Sequence, residues 1–203
     1  MHYGLSIVTE PAQEPIGIDD CKAQLRIDTA DEEGYVRGLI KASRRLYEQT
    51  RNRTLVNTVW RMTLDEFPDG DCAIKPPRPP LQSVTSVVYV NSTGGNTTMA
   101  SSDYGVDTYS QPGRIYLAYG QTWPTAREIE NAVTITYQAG YGGSAATVNE
   151  SIAAVPQTTK HGLALLVGHW FRNREPVNIG NIVNALPYAV EALFDAEWAG
   201  DYS

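Results

Sequence analysis

The feature that most restricts the fold is a change of hydrophobic period along the chain. Apolar residues recur at helical spacing up to about residue 54, alternate at strand spacing up to about residue 140, and return to helical spacing after residue 156. A chain written this way predicts a helical body interrupted by a β insertion. We therefore expect an α+β fold that is mainly a helical bundle, of about four helices, with an inserted small antiparallel β-sheet or barrel. The expected divisions are residues 1–54 for the N-terminal helices, 55–140 for the inserted β domain, 141–156 for a flexible return loop, and 157–203 for the C-terminal helices that complete the body.

After a lead bounded by Pro11 and Pro15, Ile18, Cys21 and Leu25 mark a short helix over 18–26, with Asp19 and Asp20 in its first turn, where negative charge suits the helix dipole. A second helix over 31–50 puts Val36, Leu39, Ile40, Ser43, Leu46 and Tyr47 on one broad face. Its other side carries Arg37, Lys41, Arg44 and Arg45, which at about 100° per residue share roughly a quarter of the circumference. Such a stripe is either a solvated face or a contact for an acidic subunit surface or DNA phosphates.

Val59–Leu64 alternates, Ser83–Val90 is rich in β-branched residues, and Tyr104–Tyr109, Arg114–Ala118 and Ala132–Tyr137 supply further short strands. Asn91 to Asn96 and Pro112-Gly113 read as turns, and Pro76, Pro77, Pro79 and Pro80 mark a rigid crossing segment outside any central strand. The glycines from Gly140 to Gly143 read as a linker. A helix over 157–173 follows, with Leu163, Leu166, Val167, Trp170 and Phe171 as its core stripe and Gly162, Leu165, Gly168 and His169 away from it. Glycine in a helix costs about 1 kcal/mol relative to alanine, so close approach by another segment is the expected reason for Gly162 and Gly168. A last helix starts near Pro187 and carries Leu186, Val190, Leu193, Phe194 and Trp198, with Glu191, Asp195, Glu197 and Asp201 and no Lys or Arg beyond Pro176. That stripe docks either on the chain's own body or in a partner's groove.

Composition narrows the function classes. A net charge of -7 argues against a general nucleic-acid coat, which needs many clustered cations. Cys21 and Cys72 are too few and too far apart for a metal pair or a disulfide framework, and a reducing, cytosolic assembly site fits them. The first residues lack a cationic start and an apolar run, and no stretch of about 18 apolar residues occurs, so neither export by a signal peptide nor a membrane anchor is expected. The sequons at Asn52, Asn91, Asn96 and Asn149 are read as chance.

Catalytic grammar is missing. The chain has no phosphate loop, no H-E-x-x-H, no G-x-S-x-G and no C-x-x-C. His161 and His169 share a helix about 12 Å apart along its axis, too far to ligate one metal together. Acid pairs such as Asp19/Asp20 and Asp65/Glu66 are ordinary surface, and Trp60, Trp123, Trp170 and Trp198 form no sequence cluster. No enzyme activity, cofactor or metal is expected.

In order along the chain stand C-K-A-Q-L-R-I-D (Cys21–Asp28), E-Q-T-R-N-R-T-L (Glu48–Leu55) with Trp60, P-R-P-P-L-Q-S-V (Pro77–Val84), P-G-R-I (Pro112–Ile115), Trp123-Pro124, Y-Q-A-G-Y-G (Tyr137–Gly142), L-L-V-G-H-W-F-R-N-R-E (Leu165–Glu175) and L-P-Y-A-V-E-A-L-F (Leu186–Phe194). Taken together, over nearly the whole chain, this series resembles the head-to-tail connector, or adaptor, family of tailed bacteriophages. The departures are small. Gly17 stands where Ser or Thr would cap the first helix, at a cost of a few tenths of a kcal/mol, and Asn52 stands at a turn that is often Gly, where Asn tolerates left-handed dihedrals.

The resemblance implies a structural virion protein at the head-tail junction, assembled in the host cytoplasm. It would form a twelvefold ring with one face on the portal protein and the other on a stopper or tail-completion protein, with DNA passing through the channel and no membrane partner. An acidic ring repels DNA phosphate and lets the genome slide. Arg37, Lys41, Arg44, Arg45, Gly162, Leu165, His169, Tyr188, Phe194 and Trp198 are then candidates for subunit or portal contacts. Reversing charge at Arg44 and Arg45 is expected to weaken ring or portal association. The rival readings are a tail terminator or other neck subunit, a carbohydrate-binding module using Tyr89, Tyr104, Tyr109, Tyr116 and Tyr119, and a hydrolase without a recognisable motif.

Overall fold

The structure is a computed structural model and describes residues 2–143, 145, 147–174 and 188–196. Along the chain come β1 (Tyr3–Thr9), α1 (Ile18–Leu25), α2 (Glu33–Thr50), β2 (Thr58–Leu64), β3 (Leu81–Val90), β4 (Asn96–Thr98), β5 (Tyr104–Asp107), β6 (Arg114–Leu117), β7 (Val133–Ala139), α3 (Val148–Ala154), α4 (Gln157–Arg172) and α5 (Tyr188–Asp195). The main sheet is antiparallel in the order β1-β2-β7-β3-β4, and β5 pairs with β6 in a separate two-stranded sheet. The expected helix start at Pro187, its neighbour Leu186, and Trp198, Glu197 and Asp201 lie outside the described residues.

The expectation of a mainly helical bundle is overturned. Among the described residues helix and strand contribute about equally, as five helices against a five-stranded sheet and a two-stranded one. One reason is the lead segment. Tyr3–Thr9 pairs antiparallel with β2 from Tyr3↔Leu64 to Ile7↔Trp60, so the sheet draws an edge strand from outside the expected insertion. Leu5 and Ile7 alternate with Gly4 and Ser6, a strand period that a search for helical spacing passes over. A second reason is β3, which starts directly after the prolines and runs for ten residues. The main sheet is open, with β1 and β4 as its two edges, rather than closed as a barrel.

Composition also misleads between β7 and α4, where Val148–Ala154 is helical although glycines and small residues predict a loop. The hydroxyl of Thr147 accepts from the Glu150 amide at 3.3 Å, and the Glu150 carboxylate accepts from the Thr147 amide at 2.8 Å. This reciprocal capping box satisfies two amides that a helix start leaves open.

Two apolar cores result. Val36, Ile40 and Tyr47 of α2, Leu163, Leu166 and Val167 of α4, and Val190 and Phe194 of α5 form the helical core. In the sheet, alternate residues of β2 (Trp60, Met62, Leu64) and β7 (Val133, Ile135, Tyr137) point to one face and are buried with Leu81 and Val87 of β3.

Polar groups on three segments hold these cores together at a junction. The Thr54 amide donates to the Pro79 carbonyl at 2.9 Å, and the Thr54 hydroxyl donates to the Arg78 carbonyl at 3.1 Å while accepting from the Trp60 indole at 3.0 Å. Arg78 donates to the Glu48 carbonyl at the end of α2. The Tyr137 hydroxyl donates to the Pro77 carbonyl at 2.7 Å, and Arg53 reaches the hydroxyl of Tyr141 at 3.1 Å and the side-chain carbonyl of Gln111 at 3.0 Å. Gly140, at φ +133°, leaves no room for a side chain, since a Cβ there would lie 2.6 Å from the Asn57 nitrogen. The segments Glu48–Leu55, Pro77–Val84 and Tyr137–Gly142, far apart in sequence, all meet here.

Candidate assembly interface

The basic side of α2 divides into a buried part and an exposed part. Arg44 is 1 % exposed. Its guanidinium donates to Glu14 at 2.6 Å, to Glu48 at 2.8 Å and to Glu10 at 3.4 Å. At about 100° per residue Arg44 lies only about 40° from Ile40, on the border of the apolar face. The connector from β1 to α1, which carries Glu10 and Glu14, closes over it. Arg44 therefore leaves the expected surface stripe and becomes the charged centre of an internal cluster. Burial acts against its charge, but the bond to Glu14 and the charges of Glu48 and Glu14 outweigh burial and raise its pKa. At Glu48 burial wins and raises the carboxyl pKa, although Arg44 and the Leu55 amide, 2.9 Å away, pull the other way.

Arg37, Lys41 and Arg45 remain on the outer face of the helix. Arg37 has only a 3.8 Å contact with Glu33, and Arg45 pairs with Glu10 at 2.5 Å. Burial tends to raise the pKa of Glu10, and the nearby Arg45, Lys41 and Arg44 more than reverse that, leaving it lowered. Tyr35 is exposed on the same helix, with the Arg174 guanidinium 4.8 Å above its ring.

The C-terminal candidates fall into different environments. The described part of the last helix docks on the chain's own body: Val190 and Phe194 are buried, and Phe194 meets Tyr47 edge-on at 4.7 Å. Gly162 makes this possible, because a Cβ there would lie 2.7 Å from the Phe194 ring. Gly168 faces Leu25 and Gln24 of α1 at ordinary contact distance. Gly162 and Phe194 thus belong to internal packing. Leu165 and His169 are half-buried, with the His169 carbonyl accepting from Asn173 at 2.9 Å, and Tyr188 is 85 % exposed. Trp198 lies outside the described residues.

Sequence reasoning missed the partners of Arg44, because Glu10 and Glu14 sit in a lead read only for its prolines. It also missed a groove formed by residues 65–71 after β2 and 122–130 before β7. The available signal was the early cluster Asp65, Glu66, Asp69 and Asp71 next to Phe67. Tyr109 and Tyr119 stand fully in solvent beside the small sheet, and Tyr116 of β6 is half exposed. Among the described residues no group of three or more His, Cys, Asp or Glu is placed to hold a metal ion, and no helix is long and apolar enough to cross a membrane.

The chain matches no protein-family model and no curated protein. The fold does recur in solved structures. A chain of the virion of a native gene transfer agent (GTA) particle superimposes with a TM-score of 0.74 at 21% identity, over 96% of this chain and 94% of that one. A chain in the neck of the empty GTA particle, computed with C6 symmetry, gives 0.74 at 21% identity over 95% and 94%. One in the neck of the native particle, computed with C12 symmetry, gives 0.66 at 22% identity over 95% and 93%. The fold of this chain is thus shared with these chains.

Proposed function

We propose that this chain is a structural, non-enzymatic subunit of the neck of a tailed phage or phage-like particle. Within the neck it acts as a head-to-tail connector. Identical copies form a ring, one face of which binds a portal protein and the other a stopper or tail-completion protein, and DNA passes through the channel. It resides at the head-tail junction of the virion after assembly in the host cytoplasm.

The observation that carries this reading is the end-to-end likeness to chains of GTA necks, one of them computed with C12 symmetry. The connector-like segments add support, since Glu48–Leu55, Pro77–Val84 and Tyr137–Gly142 converge on one joint that fixes the helices against the sheet. Such a joint suits a load-bearing ring component, which has to keep its surfaces in register with its neighbours. Arg37, Lys41, Arg45, Leu165, His169 and Tyr188 are the residues we assign to subunit or portal contacts, with Arg44, Gly162 and Phe194 shaping those surfaces from behind.

Mixing the purified chain with its cognate portal and imaging side views by negative stain tests the assignment. A second layer stacked on one end of the portal is expected. Bare portals at saturating chain concentration contradict it.

A further inference from the structure

We propose that neighbouring copies touch through two different surfaces: the basic outer face of α2 on one copy and an acidic groove with an aromatic floor, at the far end of the sheet, on the next. This rests on the ring reading above and adds the surfaces that close the ring.

The groove has a volume of about 810 Å³. Phe67 and Trp123 stack in its floor at 5.2 Å, and the Trp123 indole donates to the Cys72 carbonyl at 3.1 Å. Its two walls are tied by the Asn131 amide, which donates to the Asp65 carboxylate at 2.8 Å. Ile129, 44 % exposed, stands on the rim. Around it lie the carboxylates of Asp65, Glu66, Asp69, Asp71, Glu128 and Glu130, against the single guanidinium of Arg127. A concave surface with this surplus of negative charge fits a convex partner that brings cations.

The outer face of α2 brings those cations: Arg37, Lys41 and Arg45 are exposed within about 80° of one another, and Lys41 makes no salt bridge among the described residues. Within one chain the Arg45 end of the basic face is set apart from the groove. Arg45 pairs with Glu10, next to the residue that opposes Val59, whereas the groove opens beyond Leu64 and Val133, about 20 Å further along the strands. The pairing then joins two copies. A closed ring built from head-to-tail contacts needs two distinct, complementary patches on each copy. In a chain of net charge -7, contacts that bring opposite signs together overcome the repulsion between copies.

A charge-swap series on the full-length chain tests the pairing by sedimentation velocity. Arg37→Glu with Lys41→Glu, and separately Asp69→Lys with Asp71→Lys, are each expected to raise the concentration for half-assembly by about tenfold or more. All four changes in one chain restore assembly to within about threefold of the wild type. The exposed native Cys72 beside the groove adds a second readout, since Cys21 is buried. A Lys41→Cys chain treated with a short bis-maleimide should give a ladder of covalent multimers, which Cys72→Ser abolishes. Rings of wild-type strength from either charge-reversed chain, a combined chain no better than either, or a variant that loses only DNA binding overturns the pairing and leaves the ring reading intact. A wild-type chain that never assembles, alone or on portal, overturns both.

Discussion

Arg44 shows how one residue changes role when a distant segment covers it. Removing one member of a buried charge cluster leaves the others desolvated and uncompensated, an effect on the order of 3–5 kcal/mol. Arg44→Ala should therefore lower the unfolding free energy by about that much, because Glu14 and Glu48 lose their donor. Lys41→Ala, one turn away and exposed, should change it by no more than about 0.5 kcal/mol. Urea unfolding of the two variants checks the contrast, and equal midpoints would refute it. The same burial means that charge reversal at Arg44 reports on folding and not on assembly, so the informative reversals are at Arg37 and Lys41. Helical periodicity grouped Arg44 with Arg37, Lys41 and Arg45 on one side of α2, whereas the fold buries Arg44 and leaves the other three exposed. It could not show that residues 30 or more positions earlier would cap one of them, because that contact is tertiary.

At the scale of elements, the docking of α5 depends on a size match between Gly162 and Phe194. Alanine is the better helix former by about 1 kcal/mol, yet its methyl group would meet the Phe194 ring at 2.7 Å, so Gly162→Ala should destabilise by about 1–3 kcal/mol. Phe194→Ala, which empties a fully buried site against Tyr47, should cost about 3–5 kcal/mol. If Gly162→Ala raises the thermal midpoint, close approach is not the reason for that glycine. Gly162 was legible as a site of close approach because it opposes helix propensity, while Gly168, expected to be one as well, meets its neighbours only at ordinary contact distance, and α1, α2 and α4 were legible from their apolar spacing. Elements whose signals compete were hidden. β1 is short and mostly exposed, so it shows little hydrophobic contrast, and the Thr147/Glu150 box of α3 follows a run of glycines. The groove stayed hidden for another reason: its two walls are more than 50 residues apart, and only the pairing of β2 with β7 brings them together.

Across the whole molecule, surface carboxylates tune stability toward neutral pH. Side-chain bonding to Lys22 lowers the pKa of Glu33, and bonds from Ser110 and Arg114 hold Asp107 well below the usual range. The Thr147 amide lowers Glu150, and Glu10 is lowered by its arginines against the effect of burial. A carboxylate depressed in the folded state stabilises the fold above its unfolded value, 4.5 for glutamate and 3.8 for aspartate here, and that contribution is lost as pH falls through the folded value. Glu48, raised by burial, works in the opposite sense but, among the described residues, stands against these four lowered groups. The thermal midpoint should therefore drop between pH 6 and pH 3 in a melt followed by circular dichroism, and an unchanged midpoint would show that these contacts do not form in solution. Association through the basic and acidic faces should also weaken with added salt, since exposed charges are screened over about 10 Å at 0.1 M.

Native mass spectrometry of the chain assembled on its portal decides whether a closed ring forms. A single dominant species carrying the fixed number of chains that closes one ring is expected, with no broad distribution of partial occupancies. A chain that remains monomeric beside intact portals, or that binds them in variable numbers without closing, would contradict the ring reading.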